Sequence, residues 1–301
     1  MSLFEAASSL ALRYLPRDRF AALREQYFAL RTKLHPMLRV VYGSFDSAAL
    51  KEHLGQRVGY DFEILMVHSS INHMKPMYDG NPLEFVRMLI EFCGTERTLA
   101  MPAFYFGDAD LGGTSATFEK NRRFDLRRTP SQMGLATEIF RRTAGVRHSR
   151  HPVYRVSALG PLAQTLTAGH ETAESDCGRG SPFDVMAAHD TLILGIGKPF
   201  EVLTHIHHVE DLMGEDLPVP MSIGTDLAMT LIDGTEEIPF TLRRRGFKWK
   251  RDMWKLRDII GPGQLREWRF HNVPLFATRA HDVTEALLNA AKRGVTLYEK
   301  P

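Results

Sequence analysis

The densest group of chemically active side chains lies in LTHIHHVEDLMGED, residues 203–216, which holds three histidines and four carboxylates. If this segment is helical, His207 and Glu210 are three residues apart and share one face. A carboxylate in that position can hold one imidazole nitrogen while the other nitrogen faces a substrate. The spacing therefore predicts a general base with its orienting acid.

Two other interpretations of this stretch remain open. His205, His207, His208 and Glu210 could bind zinc, but no HExxH motif is present and on a helix these side chains point in at least two directions. The segment could also be a polar helix start without chemistry. Spacing alone disfavours only the metal. The other three acids of the stretch are expected to lie on the surface; they are Asp211, Glu215 and Asp216.

A second polar group, His68, Ser69 and Ser70, ends the apolar run FEILMVH. A chain that leaves a buried sheet exposes backbone N–H groups, which can bind an anion or stabilise an oxyanion. Alternatively, Ser69 or Ser70 only caps a turn or a helix. No GxSxG pattern is present, so a serine hydrolase is not indicated.

Two more segments carry candidate side chains. RRTPSQMG places Pro130 and Ser131 at a predicted helix start behind two arginines, where they could face a phosphate or carbonyl group or form only a cap. RHSRHPVYRV holds His148 and His151 on a loop, and Pro152 favours an extended conformation for the latter. These histidines could line a cleft or lie in solvent.

Three apolar runs of strand length, FEILMVH, TLAMPAF and TLILGIG, indicate the scaffold. Such runs are typical of strands buried on both faces of a sheet. Between the first two lies NPLEFVRMLIEFCG, a helical pattern with Pro82 near its start and Gly94 just past its end. This order predicts an α/β fold with a central, mostly parallel sheet flanked by helices.

The remaining patterns complete the predicted architecture. SAALKEHLGQRV is a helix with Ser44 or Asp46 as its cap, and SQMGLATEIFRRTAG a helix capped by Ser131. VYRVSALGP is a strand, and PLAQTLTAGH and DVTEALLNAAKRG are helices. Short alternating runs around DGTEE predict an added antiparallel hairpin in the C-terminal third. Residues 1–45 predict a helical N-terminal arm, and residues 46–301 one catalytic domain.

Composition narrows the class of protein. The chain has 301 residues, 44% hydrophobic and 25% charged, the balance of a soluble globular protein. A formal net charge of +2 gives no reason to expect nucleic acid or a membrane as a partner. Cys93 and Cys177 are too few for a disulfide framework, which favours a cytoplasmic protein. No signal peptide and no apolar run of ~18 to 20 residues is predicted.

Six segments in this order strongly resemble the aminoglycoside 3-N-acetyltransferase family: VHSS, GTERTLAMPAFYF, FDLRRTPSQMGLATEIFRR, GVRHSRHPVYRVSALGPLAQTLTAGHE, GRGSPFDVMAAHDTLILGIG and THIHHVE. The resemblance covers about residues 62–213, half of the chain. It implies an α/β fold, acetyl-coenzyme A or another acyl-coenzyme A as donor, and no metal.

The resemblance also implies residue roles. The family's Thr-x-x-His-x-x-Glu pattern lies on Thr204, His207 and Glu210, which makes His207 the expected base and Glu210 its partner or a neighbouring structural acid. A protonated amine has no lone pair, so a base must take its proton as it attacks the thioester, and histidine is the best-matched side chain. Direct transfer without an acyl-enzyme is expected.

The donor site is implied in the same way. His68, Ser69 and Ser70 match the family's HSS step near the thioester and pantetheine, with backbone N–H groups around the two serines as oxyanion donors. Ser131 matches the family's helix start and is expected to bind the donor. On the acceptor side, Glu138 matches a recurrent family glutamate, and His151 is a further substrate contact and the reserve candidate for the base.

The acceptor is expected to be a small-molecule amine. LRRRGFKWKRDMWKLR, residues 242–257, lies outside the resemblance and is rich in Lys and Arg, with one acid and two tryptophans. It could be a solvated basic face, or it could bind the phosphates of coenzyme A or an anionic acceptor such as a nucleotide-linked amino sugar. Because enzymes that bind polycationic antibiotics should need carboxylates instead, the sequence narrowly favours a biosynthetic amino-sugar acyltransferase.

An aminoglycoside 3-N-acetyltransferase that confers antibiotic resistance is the first alternative. A metal-dependent hydrolase is a remote one, and a non-catalytic module that binds coenzyme A or nucleic acid is another. The long helical arm at the amino terminus could join two chains into a homodimer.

Overall fold

The computed structural model describes residues 34–300, apart from the side chain of Arg245. The described residues form one large sheet, three smaller sheets and the helices that pack against them. The helices are α1 His35–Tyr42, α2 Ser47–Val58, α3 Ile71–Met74, α4 Pro82–Cys93, α5 Thr114–Lys120, α6 Leu135–Arg141, α7 Ala163–Thr167, α8 Pro182–Ala188, α9 Ile206–Met213, α10 Lys255–Ile260 and α11 Ala280–Lys292. The strands are β1 Ile64–Ser69, β2 Thr98–Pro102, β3 Arg123–Asp125, β4 Arg147–His148, β5 Val156–Leu159, β6 Thr191–Ile196, β7 Met221–Ile223, β8 Leu227–Asp233, β9 Glu236–Leu242, β10 Arg245–Phe247, β11 Lys250–Arg251, β12 Arg266–Phe270, β13 Val273–Arg279 and β14 Tyr298–Glu299.

The central sheet has seven strands in the order β12-β13-β6-β1-β2-β5-β4. Its core is parallel, because β1 pairs in parallel with both β2 and β6. The two strands on either side of this core are antiparallel. The predicted α/β class, with a parallel core and helices on both sides, is confirmed.

Alternation along β1 divides the core into two layers. Leu65 and Val67 face α2, α4 and α6, whereas Ile64 and Met66 face the layer that contains α7 to α11. Helix α9 joins this second layer through Ile206. The side chain at position 68 therefore points to the same side of the sheet as α9.

Local capping explains where the predicted helices begin. Asp46 accepts a hydrogen bond from the N–H of Ala49 at the start of α2, as predicted. Asn81 and Glu84 form a capping box at the start of α4.

The predicted helix at 131–145 is shorter than expected, and Ser131 does not cap it. Gly134 has φ +99° and is the N-cap of α6, which starts at Leu135. This backbone conformation is outside the helical region, so the helix cannot extend back to Ser131. The hydroxyl of Ser131 instead accepts the N–H of Met133 in a local turn.

The C-terminal third contains the predicted antiparallel hairpin, β8 and β9, which turns at Gly234. Strand β3 extends it to three strands. A second hairpin, β12 and β13, was not predicted and adds the far edge of the central sheet. Its two-residue turn, His271 and Asn272, has φ of 45° and 60°. An asparagine between alternating apolar runs is the signal that could have found it.

The predicted arm, residues 1–45, falls mostly outside the described residues. Within residues 34–45, α1 buries none of its side chains, while Phe45 is buried in the core. The division at residue 45 stays a prediction. Within the part of the chain that the structure covers, no helix is long and apolar enough to cross a membrane.

Candidate active site

His207 and Glu210 lie on one face of α9 and are in contact. The Nδ1 atom of His207 is 2.7 Å from Oε2 of Glu210. The neighbouring residues Ile206 and Val209 are buried in the core, so this pair is held on a fixed helix. The helix ends at Gly214, whose N–H caps the carbonyl of Glu210.

Glu210 is a buried carboxylate with three donors. Besides His207, it accepts the hydroxyl proton of Tyr298 on Oε1 at 2.6 Å, and Nη2 of Arg251 lies 2.9 Å from both of its oxygens. Burial on its own raises the pKa of Glu210, but the hydrogen bond and charge of His207, the charge of Arg251 and the bond from Tyr298 together lower it. Glu210 is therefore ionised at neutral pH.

This carboxylate fixes the tautomer of His207. Because an ionised carboxylate can only accept, Nδ1 must carry a proton, and in the neutral ring Nε2 is then the nitrogen with the lone pair. The side chain of His207 is 22% exposed, so a substrate can reach it. The ring of Tyr154 lies 5.7 Å from the imidazole, and one turn earlier the buried hydroxyl of Thr204 has no partner among the described residues. The arrangement can remove a proton from a bound group.

The other two histidines of the stretch point elsewhere. Nε2 of His205 is 3.0 Å from the hydroxyl of Thr284, and Nδ1 of His208 is 2.7 Å from the carbonyl oxygen of Cys177. Between residues 34 and 300 no group of three or more His, Cys, Asp or Glu is arranged to hold a metal ion. The zinc interpretation finds no support in these contacts.

Asp211 is not the surface acid that the sequence predicted. Its carboxylate accepts the N–H of Cys177 at 2.7 Å, and burial, with a further contribution from Asp176, raises its pKa. Glu215 and Asp216 are exposed, as predicted.

His68 lies on the α9 side of the sheet and is buried. Burial lowers its pKa to about 4, and the charge of Lys198 acts in the same direction, so the ring is neutral at pH 7. A neutral ring cannot attract phosphates by charge. Its contact with the donor stays a prediction.

Ser70 caps the short helix α3, since its hydroxyl accepts the N–H of His73. Its own N–H donates to the carbonyl of Ile196 at 3.0 Å. The Ser70 N–H is therefore engaged by β6 in this structure, and the use of the backbone around Ser69 and Ser70 as an oxyanion donor stays a prediction. Ser69 is half-buried at the end of β1, and its role stays a prediction.

Glu138 organises the loop that contains Ser131. Its carboxylate accepts the Ser131 N–H at 2.9 Å, two bonds from Arg141 at 2.6 and 2.8 Å, and one from Arg142 at 2.7 Å. Burial raises the pKa of Glu138, but these bonds outweigh it and lower the pKa. Its oxygens are thus engaged within the protein. Contacts of Glu138 with an acceptor and of Ser131 with a donor stay predictions.

His151 is 1% exposed, and both of its nitrogens have partners. Nδ1 accepts the N–H groups of Val153 and Tyr154, so Nε2 carries the proton and faces Asp176 at 3.3 Å. With no free lone pair, His151 cannot replace His207 as the base. Its ring lies 5.9 Å from that of Tyr154, which in turn lies 5.7 Å from the ring of His207. His148 is a further neutral histidine, whose pKa burial lowers to about 4.

The basic segment 242–257 is largely engaged by the protein. Lys248 and Lys250 are exposed. The cations with protein partners are Arg243, Arg244, Arg251, Lys255 and Arg257. The sequence did not indicate Arg251 and Tyr298 as partners of Glu210. Arg251 is one of several cations in a basic run, and nothing in its sequence context distinguishes it from the others.

Comparisons with known proteins agree with this architecture. Residues 66–290 match the family model described as aminoglycoside 3-N-acetyltransferase. An aminoglycoside N(3)-acetyltransferase III of Serratia marcescens is 30% identical over 175 residues, which cover 56% of this chain and 62% of that relative. The chain thus spans about three fifths of the length of this curated relative.

Solved structures show the same fold at low identity. The aminoglycoside acetyltransferase AAC(3)-Xa superposes with a TM-score of 0.71 at 19% identity, over 88% of this chain and 99% of that one. A structure described as AAC-IIIb binary with CoASH superposes with a TM-score of 0.66 at 20% identity, over 85% of this chain and 99% of that one.

Proposed function

The chain belongs to the aminoglycoside 3-N-acetyltransferase family, and on this premise we propose that it transfers an acetyl group from acetyl-coenzyme A to a primary amine of an aminoglycoside. The observation that carries the proposal is the 2.7 Å contact between Nδ1 of His207 and the buried carboxylate of Glu210. It supplies the base that amine acylation requires.

The proposed reaction is a direct transfer. Nε2 of His207 takes a proton from the amine as the nitrogen attacks the thioester carbonyl carbon. A carbon–nitrogen bond forms, the carbon–sulfur bond breaks, and the released thiolate of coenzyme A takes up the proton that His207 removed, which returns the imidazole to its neutral form. Glu210 stabilises the imidazolium formed in the first step. General base catalysis of this kind is worth about 10²- to 10⁴-fold.

The proposed acceptor is an aminoglycoside. The names of the family and of the matched relative support an aminoglycoside better than the biosynthetic amino sugar that the sequence favoured. One observation keeps a nucleotide-linked amino sugar as the second candidate, namely the exposed cations Lys248 and Lys250. Coenzyme A in the binary structure of the relative supports an acyl-coenzyme A donor.

Two further predictions belong to the proposal. The buried thiols of Cys93 and Cys177 form no disulfide, which supports a reducing, cytoplasmic setting.

The N-terminal arm is predicted to join two chains into a homodimer. Sedimentation should then show a dimer for the full chain and a monomer for a chain without residues 1–42.

A thiol-release screen tests the function. The chain is given acetyl-coenzyme A and either aminoglycosides or nucleotide-linked amino sugars, and free thiol is followed with time. Release with aminoglycosides that disappears in His207→Ala, but not in His281→Ala at an exposed position of α11, supports the proposal. If no thiol is released with any amine, the proposal is contradicted. Release only with nucleotide-linked amino sugars establishes the second acceptor. Release of thiol without an amine that a chelator abolishes establishes the metal-dependent hydrolase.

A further inference from the structure

Arg251 and Tyr298 reach Glu210 from a two-stranded sheet outside the central one. Strands β11 and β14 are antiparallel and place Arg251 directly opposite Tyr298. Side chains at directly opposed positions of an antiparallel pair lie on the same face. Both side chains therefore extend toward α9 together, where their donor atoms lie within 2.9 Å of Glu210 oxygens.

The contacts between the two residues fix the direction of every proton. Nη2 and Nε of Arg251 lie 2.7 and 3.1 Å from the phenol oxygen of Tyr298 and donate to it. Because that oxygen accepts from the guanidinium, its single proton is left for Glu210. Burial and the neighbouring charge of Glu210 raise the pKa of Tyr298, so the phenol remains a donor.

Packing holds this donor pair in place. The guanidinium lies over the Tyr298 ring at 5.2 Å, and Phe247 packs against the same ring at 4.7 Å. Lys255 donates to the backbone carbonyl of Tyr298 at 3.2 Å. Tyr298 also belongs to a small apolar cluster with Leu217. Both donors are thus held in place by contacts within the protein.

The electrostatic consequence concerns the charge of Glu210. A buried carboxylate beside a neutral imidazole carries a charge without compensation, which favours its protonation or its turning toward water. Arg251 supplies the opposite charge, and Tyr298 occupies the oxygen that His207 leaves free. Together they keep Glu210 ionised and its Oε2 directed at Nδ1 of His207.

We propose that Arg251 and Tyr298 are positioning residues for acyl transfer, which act by holding Glu210 so that His207 keeps its reactive tautomer. This inference rests on the proposed function. Tyr298 lies beyond residues 66–290, the part of the chain that matches the family. The proposal therefore extends the functional residues of this chain into its C-terminal segment.

The test uses Tyr298→Phe, Arg251→Met and Arg251→Lys in the full chain. Tyr78→Phe is the matched control for the first variant, since the Tyr78 hydroxyl is bonded to Ser47 on the other side of the sheet. Arg123→Met, which breaks the exposed arginine–glutamate pair between β3 and β9, is the control for the second. Each protein is measured by steady-state kinetics and by ¹⁵N NMR of the His207 ring, which reports the nitrogen that carries the proton.

A charge-assisted hydrogen bond is worth about a 10- to 100-fold change in rate. Tyr298→Phe and Arg251→Met should lose that much kcat with little change in acceptor KM, and their spectra should show mixed tautomers in place of the Nδ1–H form. Arg251→Lys should restore part of kcat, since it returns the charge without the planar fork. Both controls should match the parent.

Three results would overturn the proposal. They are kcat within twofold of the parent in both variants, a loss confined to KM, and an unchanged Nδ1–H form in the spectra. The NMR measurement needs no turnover, so if the parent chain transfers no acetyl group, the proposed function fails while the tautomer still decides whether Arg251 and Tyr298 position His207.

Discussion

Lowering the pH should reduce the free energy of unfolding, in part because the buried ring of His68 resists protonation. His68→Gln should remove the contribution of His68 to this loss. The ring is 6% exposed, on the buried face of β1 toward α9. Burial lowers its pKa from 6.5 to about 4, and Lys198 contributes to the shift. In the unfolded chain the ring meets water and returns to its ordinary value.

The sign and size follow from proton linkage. Between pH 6.5 and about 4 the unfolded chain binds a proton that the folded protein does not, so the free energy of unfolding falls as the pH falls. Each pH unit in that window is worth about 1.4 kcal/mol. The stability that His68 removes on going from pH 7 to pH 4 is therefore about 3 kcal/mol.

Urea unfolding followed by circular dichroism at the two pH values measures this loss. The parent should lose about 3 kcal/mol more than His68→Gln, because other titrating groups are common to both chains and cancel. His281→Gln, at a position 62% exposed, removes a histidine without removing a buried one and serves as the control.

Equal losses in the parent and His68→Gln would refute the reasoning. The ring would then be accessible to water in the folded protein and could carry a charge near neutral pH. In that case His68 could bind the phosphates of a donor, whereas a neutral ring can contact only its uncharged parts.

Three further predictions follow from other contacts. His207→Ala should lower kcat/KM about 10²- to 10⁴-fold and leave coenzyme A affinity by calorimetry unchanged; turnover near that of the parent would disprove the base. Burial and Asp176 raise the pKa of Asp211 above its ordinary value of 3.8, so at pH values between 3.8 and the raised pKa the folded protein holds a proton that the unfolded chain has lost. The free energy of unfolding therefore falls as the pH rises through this range. Asp211→Asn should flatten the fall in urea unfolding, and an unchanged slope would contradict the prediction. A Cβ at Gly195 would overlap with the Phe276 ring, so Gly195→Ala should cost about 1–3 kcal/mol by thermal unfolding; an unshifted melting temperature would show that the ring moves aside freely.

The elements that sequence reasoning predicted are those with local causes. Continuous apolar runs indicated β1, β2 and β6, and Asp46 marked the start of α2, because burial pattern and capping act within a few residues. The start of α6 was placed wrongly at Ser131. Residues that can cap a helix are common in the sequence, and the start of α6 is set instead by the backbone conformation of Gly134.

The candidate site was predictable in part for the same reason. The pairing of His207 with Glu210 follows from helical spacing, which is local. The difference between His207 and His151 is not local, since it depends on which lone pairs the fold leaves free. Arg251 and Tyr298 are 41 and 88 residues from Glu210 along the chain, and no pattern in the sequence joins them.

The pairing of β11 with β14 makes one donor to Glu210 depend on the C-terminal segment of the described chain. The sheet core is complete once β13 has paired with β6, but Glu210 lacks its phenol donor until residue 298 is made and docks. A chain shortened before residue 298 would retain the strands of the central sheet but would lack this donor. The strands of the central sheet and the last donor to Glu210 thus lie in separable parts of the chain.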